Sequence, residues 1–279
     1  MKPVLVLTAH RGPVTGIQVS DNYLFAGSSD GTVSIHSKPN FTYNHRLFGH
    51  VQRGISQIYY FDQCVACAAD DCISLSDLNN NCLVKIQISS PAICISMNKL
   101  HIVAGFADAS TRLYERASGT EIAIFRGHES AVLSVELFNQ FIISGGQDGK
   151  IVFHNTSGMT LHTIRLKNPV ASMKLSPNGG VLCALSLGEV HVFKVDLERI
   201  KETKLGRSFK DLESQFLHQV CFFGKKVVFG GVGRILLFDV LNGGKEEISL
   251  PKEQQVLCVD ADQERIYCGT KQGRVFVVE

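Results

Sequence analysis

The chain contains no tryptophan, few charged residues and no long apolar run. Of its 279 residues, 28 are basic and 26 acidic, so the formal net charge is only +2. That balance gives no field that would attract nucleic acid or a membrane surface in general. No stretch approaches the roughly 18 apolar residues of a membrane-spanning helix, and the N-terminal run from Val4 to Leu7 is too short for a secretory signal. We therefore expect no membrane partner and no direct nucleic-acid partner.

A disulfide framework is also missing from the sequence. The nine cysteines are an odd number and lie scattered from Cys64 to Cys268. Such usage fits a reducing compartment better than a disulfide-stapled extracellular domain. We expect a soluble intracellular protein, cytoplasmic or nuclear. With 44% hydrophobic residues, the chain can bury a large core.

What the chain does contain is a repeated turn that joins a short apolar strand to an alternating one. The turns recur at intervals of 40, 38, 40, 39, 45 and 40 residues. The strand after each turn has apolar residues at every second position, with Thr111 of copy three as the exception, and this alternation indicates a half-buried strand. The seven turn pairs are Asp30-Gly31, Asp70-Asp71, Asp108-Ala109, Asp148-Gly149, Leu187-Gly188, Val232-Gly233 and Gln272-Gly273.

The best-developed copy runs from Phe125 to Asn155 and reads FRGHESAVLSVELFNQFIISGGQDGKIVFHN. It has a Gly-His opening, a first strand, a second strand ending at the Asp turn, and a third alternating strand. A three-stranded sheet of this kind is marginal alone, so it makes sense only as one of several stacked copies. Internal repetition therefore predicts an all-β ring of similar units.

These copies resemble the WD40 repeat family. Gly49-His50 and Gly127-His128 match the family's opening, and the Asp turns follow at the expected spacing. The resemblance implies a seven-bladed β-propeller of four-stranded antiparallel blades, with residues 1–279 forming one domain. The usual tryptophan is replaced in every copy, and the last three copies also lack the His and the Asp. The residues at the tryptophan position of the seven copies are His36, Ser76, Tyr114, His154, Phe193, Phe238 and Val278.

Closure of the ring is expected at the two ends of the sequence. The last copy has only three strands, whereas a blade in the WD40 repeat family has four. The unmatched extended segment 2–8 lies before the first copy. We predict that it pairs with 274–279, because closure removes two exposed strand edges.

The resemblance also assigns residues to a hydrogen-bond relay inside the blades. In copy four these are His128, Ser144, Asp148 and His154, and copy one has His10, Asp30 and His36. Other copies supply His50, Asp70 and Asp108. A metal site made from His128, His154 and Asp148 is the alternative. We favour the structural interpretation because the same residue pattern recurs from copy to copy.

A second metal hypothesis concerns four cysteines of copy two, which are Cys64, Cys67, Cys72 and Cys82. Cys64 and Cys67 fall on one strand at an odd separation, which directs their side chains to opposite faces. We therefore expect buried thiols that fill the core and no zinc site. The Gly-rich stretch 230–234 is not followed by a helix, so it predicts a turn and not a phosphate loop. No cofactor and no catalytic constellation is expected.

For function, the resemblance implies a non-catalytic scaffold that docks a partner on the loop face of a rigid disc. That face contains polar, mildly basic residues, which suit an acidic or phosphorylated peptide or protein. The chain would act as a monomer within a hetero-complex. The expected face residues are Arg11, Ser29, Arg53, Glu129, Gln147, Lys167, Gln255 and Lys271.

Two other functional classes remain open. The chain could be a structural subunit of a ribosome-biogenesis, coat or ubiquitin-ligase complex, docked through a blade edge and the insertion 195–216. A hydrolytic or lyase propeller is a weaker alternative. It would need acids, histidines or metal ligands converging on the central channel, and the turn positions offer mainly small residues.

Overall fold

The computed structural model describes residues 2–8, 10–47, 54–186, 189–200, 203–209 and 219–279. Over these ranges the regular structure consists of 28 β-strands and contains no α-helix. No helix in the described part of the chain is long and apolar enough to cross a bilayer. The strands form seven separate four-stranded antiparallel sheets, as the repeat predicted.

In chain order the strands are β1 (Pro3–Thr8), β2 (Val14–Val19), β3 (Tyr23–Ser28), β4 (Val33–Ser37), β5 (Thr42–Leu47), β6 (Ile55–Phe61), β7 (Cys64–Ala69), β8 (Cys72–Asp77), β9 (Cys82–Gln87), β10 (Ala92–Met97), β11 (His101–Phe106), β12 (Thr111–Glu115), β13 (Glu121–Phe125), β14 (Val132–Phe138), β15 (Phe141–Gly146), β16 (Lys150–Asn155), β17 (Thr160–Arg165), β18 (Val170–Leu175), β19 (Val181–Ser186), β20 (Glu189–Lys194), β21 (Lys204–Phe209), β22 (Val220–Phe223), β23 (Lys226–Gly230), β24 (Arg234–Asp239), β25 (Lys245–Ser249), β26 (Val256–Ala261), β27 (Ile266–Thr270) and β28 (Arg274–Val278).

Blades 1 to 6 each take four consecutive strands, beginning with β2, β6, β10, β14, β18 and β22. The first strand of each blade contacts the first strands of both neighbouring blades, and β2 contacts β26 and β6, so the ring is closed. Apolar side chains on facing blades form the core. Ile143 and Phe153 of blade 4, for example, pack against Met173 and Leu182 of blade 5.

Blade 7 is built from both ends of the chain. Its strand order is β1-β28-β27-β26, and β1 lies antiparallel to β28. The N–H of Lys2 donates to the carbonyl of Glu279 at 2.8 Å, and the N–H of Glu279 donates back at 3.2 Å. This pairing confirms the closure that was predicted from the unmatched segment 2–8.

The innermost strands share one irregularity that matters for the channel. In six blades the register shifts by one residue near the start of the first strand, as in a β-bulge. The extra residues, among them Thr15, Leu133 and Leu257, line the mouth of the central channel. The bulge thus adds a layer of side chains around the axis.

Candidate partner-binding face and central channel

Antiparallel pairing brings two kinds of loop to the same end of every blade. The turn between the second and third strands lies beside the loop that enters the first strand, and we call this end of the propeller the Asp-turn face. The N–H of Ser29 donates to the carbonyl of Pro13, and the N–H of Gln147 donates to that of Ala131. Bonds of this kind tie the turns of blades 1, 3, 4 and 7 to their entering loops.

The residues expected at the rim lie on the Asp-turn face wherever the structure describes them. Gln255 is partly exposed, and Arg53 lies outside the described residues. Topology thus unites residues from blades 1, 4, 5 and 7 that are far apart in sequence. Whether they bind a partner stays a prediction. The exposed members of the set are Arg11, Ser29, Glu129, Gln147, Lys167 and Lys271.

Blade 4 contains a buried histidine between an acid and a hydroxyl. Nδ1 of His128 lies 3.0 Å from Oδ1 of Asp148, and its Nε2 lies 2.9 Å from Oγ of Ser144. Burial by itself would raise the pKa of Asp148, but hydrogen bonds from the Glu129 N–H and from His128 hold it below its usual value. The turn carboxylate is therefore ionised and saturated with donors.

His154, the residue at the tryptophan position of blade 4, stands outside this chain of hydrogen bonds. Its Nε2 is buried without a hydrogen-bond partner, while its ring lies 5.0 Å from the ring of Phe125. Burial lowers the pKa of His154 to about 4, so the ring is neutral. The connected relay ends at Ser144, and His154 contributes mainly packing.

Blade 1 reaches the same arrangement from a different strand. His10 lies 3.1 Å from Asp30 and 3.0 Å from Oγ of Ser34, and Ser34 continues to His36 at 3.3 Å. Ser34 is on the third strand of its blade and pairs with Ala26 on the second. In blade 4 the second strand supplies the hydroxyl, because Ser144 pairs with Val152. Aligning directly paired positions would have revealed this exchange.

Blade 3 satisfies its turn acid with an arginine that the sequence reasoning missed. Arg112 lies 2.6 Å from Asp108 and places its guanidinium 4.5 Å from the centroid of the Phe106 ring. Oγ of Ser110 also donates to Asp108. Asp70 of blade 2 is exposed at its turn, and its expected partner His50 lies outside the described residues.

The cysteines of blade 2 are divided between two core clusters. Cys64 packs in the cluster with Phe106 and Tyr114, whereas Cys67 packs with Phe25 on the other face of β7. Burial raises the pKa of Cys67 to about 12, so this thiol stays protonated. Cys72 is buried and Cys82 is exposed. Within the described ranges, no three His, Cys, Asp or Glu side chains are placed to hold a metal ion.

A cavity of about 360 Å³ opens at the channel mouth on the Asp-turn face. Its wall is uncharged and about half apolar, since aliphatic side chains alternate with hydroxyl and amide groups. The lining residues are Thr15, Ser56, Gln57, Ile93, Leu133, Ser134, Ala171, Ser172, Gln219 and Leu257.

Below this mouth a layer of charged and polar side chains narrows the channel to a space of about 30 Å³. Nζ of Lys174 lies 3.3 Å from Glu136 and 5.6 Å from the ring centroid of Tyr59, three blades away. Asp260 accepts a hydrogen bond from the N–H of Val19 at 2.8 Å. Burial raises the pKa of Asp260 to about 6.

The turn positions, which offer mainly small residues, did not predict the acids of this layer. The acids Glu136 and Asp260 come from the first strands and not from the turns that were considered. Both carboxylates are already used, since Asp260 binds the backbone of blade 1 and Glu136 binds Lys174. They hold neighbouring blades together and leave little room for a substrate.

The insertion 195–216 supplies more of the core than a surface loop would. Val195 and Ile200 are buried in the cluster between blades 4 and 5, and β21 forms the fourth strand of blade 5. Leu197 to Ile200 border a groove of about 780 Å³ together with Phe141 and Leu161. Residues 210–216 lie outside the described ranges.

Comparison with known proteins points to one repeat family. The family model described as "WD domain, G-beta repeat" matches residues 1–37 and 119–155, which contain the His-Asp pairs of blades 1 and 4. The chain is 23% identical to human (Homo sapiens) Striatin-4 over 216 residues, covering 65% of the chain and 28% of that protein. It is 28% identical to Autophagy-related protein 16 of Arabidopsis thaliana over 187 residues, covering 62% and 37%. The chain thus spans about a third of the length of these curated relatives.

Proposed function

We propose a docking function for this chain, which is a tryptophan-free, seven-repeat member of the WD40-repeat family. Its propeller is a protein-interaction scaffold, and non-catalytic scaffolding is general in the family. We propose more specifically that the Asp-turn face binds an acidic or phosphorylated segment of a partner protein. A preformed rim supports this, because a surface that is already ordered loses little conformational entropy on binding.

The observation that carries this proposal is a group of basic side chains on blades 7 and 1, which we call the basic arc. It consists of Arg11, Lys252, Lys271 and Arg274, all exposed. Backbone hydrogen bonds connect their loops: the N–H of His10 donates to Gly273 at 3.1 Å, and that of Lys271 to Gln255 at 2.9 Å. Among the described residues, none forms an ion pair with these four groups.

Two basic groups elsewhere on this face are paired with acids. Lys150 of blade 4 lies 2.6 Å from Glu129, and Arg112 of blade 3 lies 2.6 Å from Asp108. Lys167 of blade 5 is exposed without an ion pair among the described residues, but the basic arc places four such groups on two adjoining blades. Carboxylates and phosphates form charge-assisted hydrogen bonds with such groups, and these are stronger than hydrogen bonds between neutral partners.

The test is a double charge reversal, Arg11→Glu with Lys271→Glu. Binding of a fluorescein-labelled peptide of six glutamates, with and without a central phosphoserine, is measured by fluorescence anisotropy. We expect binding to weaken roughly tenfold or more with little change in melting temperature, because exposed substitutions usually cost under about 0.5 kcal/mol. Lys99→Glu, an exposed lysine at the other end of the propeller, is the matched control. Equal losses in the control would reject the basic arc as the binding site.

A second candidate is an assembly subunit docked through the insertion, of the ribosome-biogenesis, coat or ubiquitin-ligase type. The groove of about 780 Å³ beside Leu197 supports this candidate, because its volume lies within the usual range for binding pockets. Proximity labelling in intact cells would compare the wild type, the double charge reversal and Glu198→Arg. Loss of labelled neighbours only in Glu198→Arg would favour this second candidate.

We also propose a cytoplasmic or nuclear location, which the free cysteines support because they fit a reducing compartment. We further propose that the chain is a monomer within a hetero-complex.

A further inference from the structure

The end of the propeller opposite the Asp-turn face has its own groove, between blades 5 and 6. It has a volume of about 510 Å³ and lies between the β18–β19 hairpin, the β22–β23 hairpin and the turn after β24. We call it the opposite-face groove. Neither the basic arc nor the channel mouth contributes to it. The lining residues are Ser176, Pro177, Asn178, Val181, Phe222, Gly224, Lys225, Val240 and Leu241.

The floor of this groove is apolar and continuous with the core. Val181, Phe222 and Val240 are partly buried against the cluster that joins blades 5 and 6. Leu241 stands beside them with 62% of its surface exposed. Its turn is fixed, since the Leu241 N–H donates to Asp239 at 2.8 Å and the Val240 N–H donates to Lys225 at 3.0 Å. A large apolar side chain is therefore presented to solvent by an ordered turn.

Two exposed lysines flank the apolar floor. Lys225 of blade 6 lines the groove directly. Lys194 of blade 5 pairs with Val181 in the sheet, so its side chain projects from the same face of blade 5 as that of Val181. The nearby acids already have partners. Asp239 accepts from the N–H groups of its own turn, and Glu246 lies 2.5 Å from Lys226. Three lysines, Lys194, Lys225 and Lys226, outnumber the two acids, so the surroundings of the groove keep a positive balance of charge.

We propose that the opposite-face groove is a second docking site, which binds a partner segment carrying large apolar side chains flanked by carboxylates. The apolar floor would take the anchor side chains, and Lys194 and Lys225 would face the carboxylates. A volume of about 510 Å³ lies within the usual range for ligand pockets. With sites at both ends, the scaffold could hold two partners at once. This inference is independent of binding at the basic arc.

The experiment uses the full chain and a labelled hexapeptide with a central Phe-Leu pair and two glutamates on each side. Fluorescence anisotropy is measured for the wild type, for Leu241→Asp, and for Lys194→Glu combined with Lys225→Glu. We expect each variant to weaken binding roughly tenfold or more, because anchors in a desolvated pocket dominate binding energy. A peptide with Ser-Ser in place of Phe-Leu should bind at least tenfold more weakly to the wild type.

The matched control lies at the same end of the propeller, on the blade 3 hairpin. Leu100 is 66% exposed and follows the exposed Lys99, but the pair lies outside any groove described here. Leu100→Asp with Lys99→Glu should bind the Phe-Leu peptide like the wild type. Equal loss in this control, or no binding by the wild type, would overturn the proposal. Sedimentation equilibrium is run in parallel. Self-association that disappears in Leu241→Asp would assign the groove to a second copy of the chain, which also overturns it.

Discussion

Blades 4 and 7 have the same four-stranded sheet but stabilise it in different ways. Blade 4 is one continuous segment, and its turn is tied by His128, Asp148 and Ser144. Blade 7 has Gln272-Gly273 at its turn and takes its outer strand from the other end of the chain. In blade 7, Gln272 connects the turn to the entering loop, because its amide group donates to the carbonyl of Glu253 at 2.6 Å.

Blade 7 also directs its polar side chains toward its neighbour. Asp262 accepts from Lys38 of blade 1 at 2.6 Å and from the Tyr267 hydroxyl at 2.7 Å. Asp260 accepts from the Val19 N–H of blade 1. Blade 4 makes comparable contacts with blade 5, through Glu136 and Lys174 and through the Met173 N–H that donates to Ser134, so blade 7 differs mainly in lacking the His-Asp pair at its turn. Most buried polar groups in a fold have a partner, and in these two blades the partners come from different residues and not from one fixed motif.

The largest effect is expected from removing residues 1–8, which would leave the outer edge of β28 unpaired while its inner edge still pairs with β27. It would also remove the partly buried Leu5 and Leu7 from the core between blades 7 and 1. We expect the melting temperature to fall by about 10 °C or more and the protein to aggregate, because a bare strand edge invites pairing with other chains. Differential scanning fluorimetry and size-exclusion chromatography measure both.

The control for this deletion is Val4→Thr with Val6→Thr. Both valines are exposed, so the double variant keeps the strand pairing and changes only the outer surface. It should melt within a few degrees of the wild type. If the deleted chain also melts there, β1 does not stabilise the ring.

The next effect concerns blade 4, where His128→Ala would leave Asp148 and Ser144 short of a buried partner. We expect a loss of about 1–3 kcal/mol in the free energy of unfolding, measured by urea titration. His154→Phe is the informative comparison. It keeps a ring beside Phe125 and removes the unpartnered Nε2, but it also removes Nδ1, which lies 3.2 Å from the Thr160 hydroxyl, so stability should change less than in His128→Ala. A larger loss in His154→Phe than in His128→Ala would contradict this account of the relay.

The ring could be predicted from the sequence because its signals are local and repeated. Turn spacing and alternation gave seven blades, and the unmatched segment 2–8 gave the closure. Individual partners depended on register between strands. Arg112 binds Asp108 because both lie at one turn. In blade 1, Ser34 has the role that Ser144 has in blade 4, because it occupies the paired position on the next strand. Neither follows from a motif.

The channel layer was missed although a signal for it existed. Glu136 lies between the core residues Val135 and Leu137, so alternation places it on the other side of the first strand. Only the closed ring shows that this side faces Lys174 on the next blade, whose Nζ lies 5.6 Å from the centroid of the Tyr59 ring across the channel. The groove beside Leu197 and the opposite-face groove could not be predicted for the same reason, since each is lined by residues of two blades.

A smaller effect should distinguish two ion pairs that each join neighbouring blades but differ in exposure. Lys38–Asp262 crosses the closure at 2.6 Å, with side-chain exposures of 12% and 22%. Arg116–Asp62 joins blades 3 and 2 at 3.3 Å, with exposures of 12% and 62%. We expect Lys38→Met to cost about 1 kcal/mol or somewhat more and Arg116→Met under about 0.5 kcal/mol, because exposure screens the second pair. Urea titration of both variants measures the difference, and equal costs would argue against a special closure contact.

The Lys38 effect should depend on pH in one direction. Burial would raise the pKa of Asp262, but hydrogen bonds from Lys38 and Tyr267 lower it to about 2. A pKa below the unfolded value of about 3.9 means that the stabilisation is present above that pH and is lost as the pH falls toward 2. The stability gap between the wild type and Lys38→Met should therefore narrow below pH 4. A gap that widens on acidification would show that the pair does not hold the carboxylate ionised.

The last effect is expected at Asp260, and it has the opposite sign. Burial raises its pKa to about 6, above the unfolded value of about 3.9. The folded protein then binds the extra proton between about pH 4 and 6, so ionisation of Asp260 lowers stability as the pH rises through that window. Asp260→Asn keeps an oxygen that can accept from the Val19 N–H and removes the charge. Thermal melts should show the variant a few degrees more stable at pH 7.5 and equal to the wild type at pH 4. Asp262→Asn should instead lose stability at pH 7.5. If Asp260→Asn also melts lower at pH 7.5, the attraction of Lys174 outweighs burial, and the channel layer stabilises the ring as a charged network.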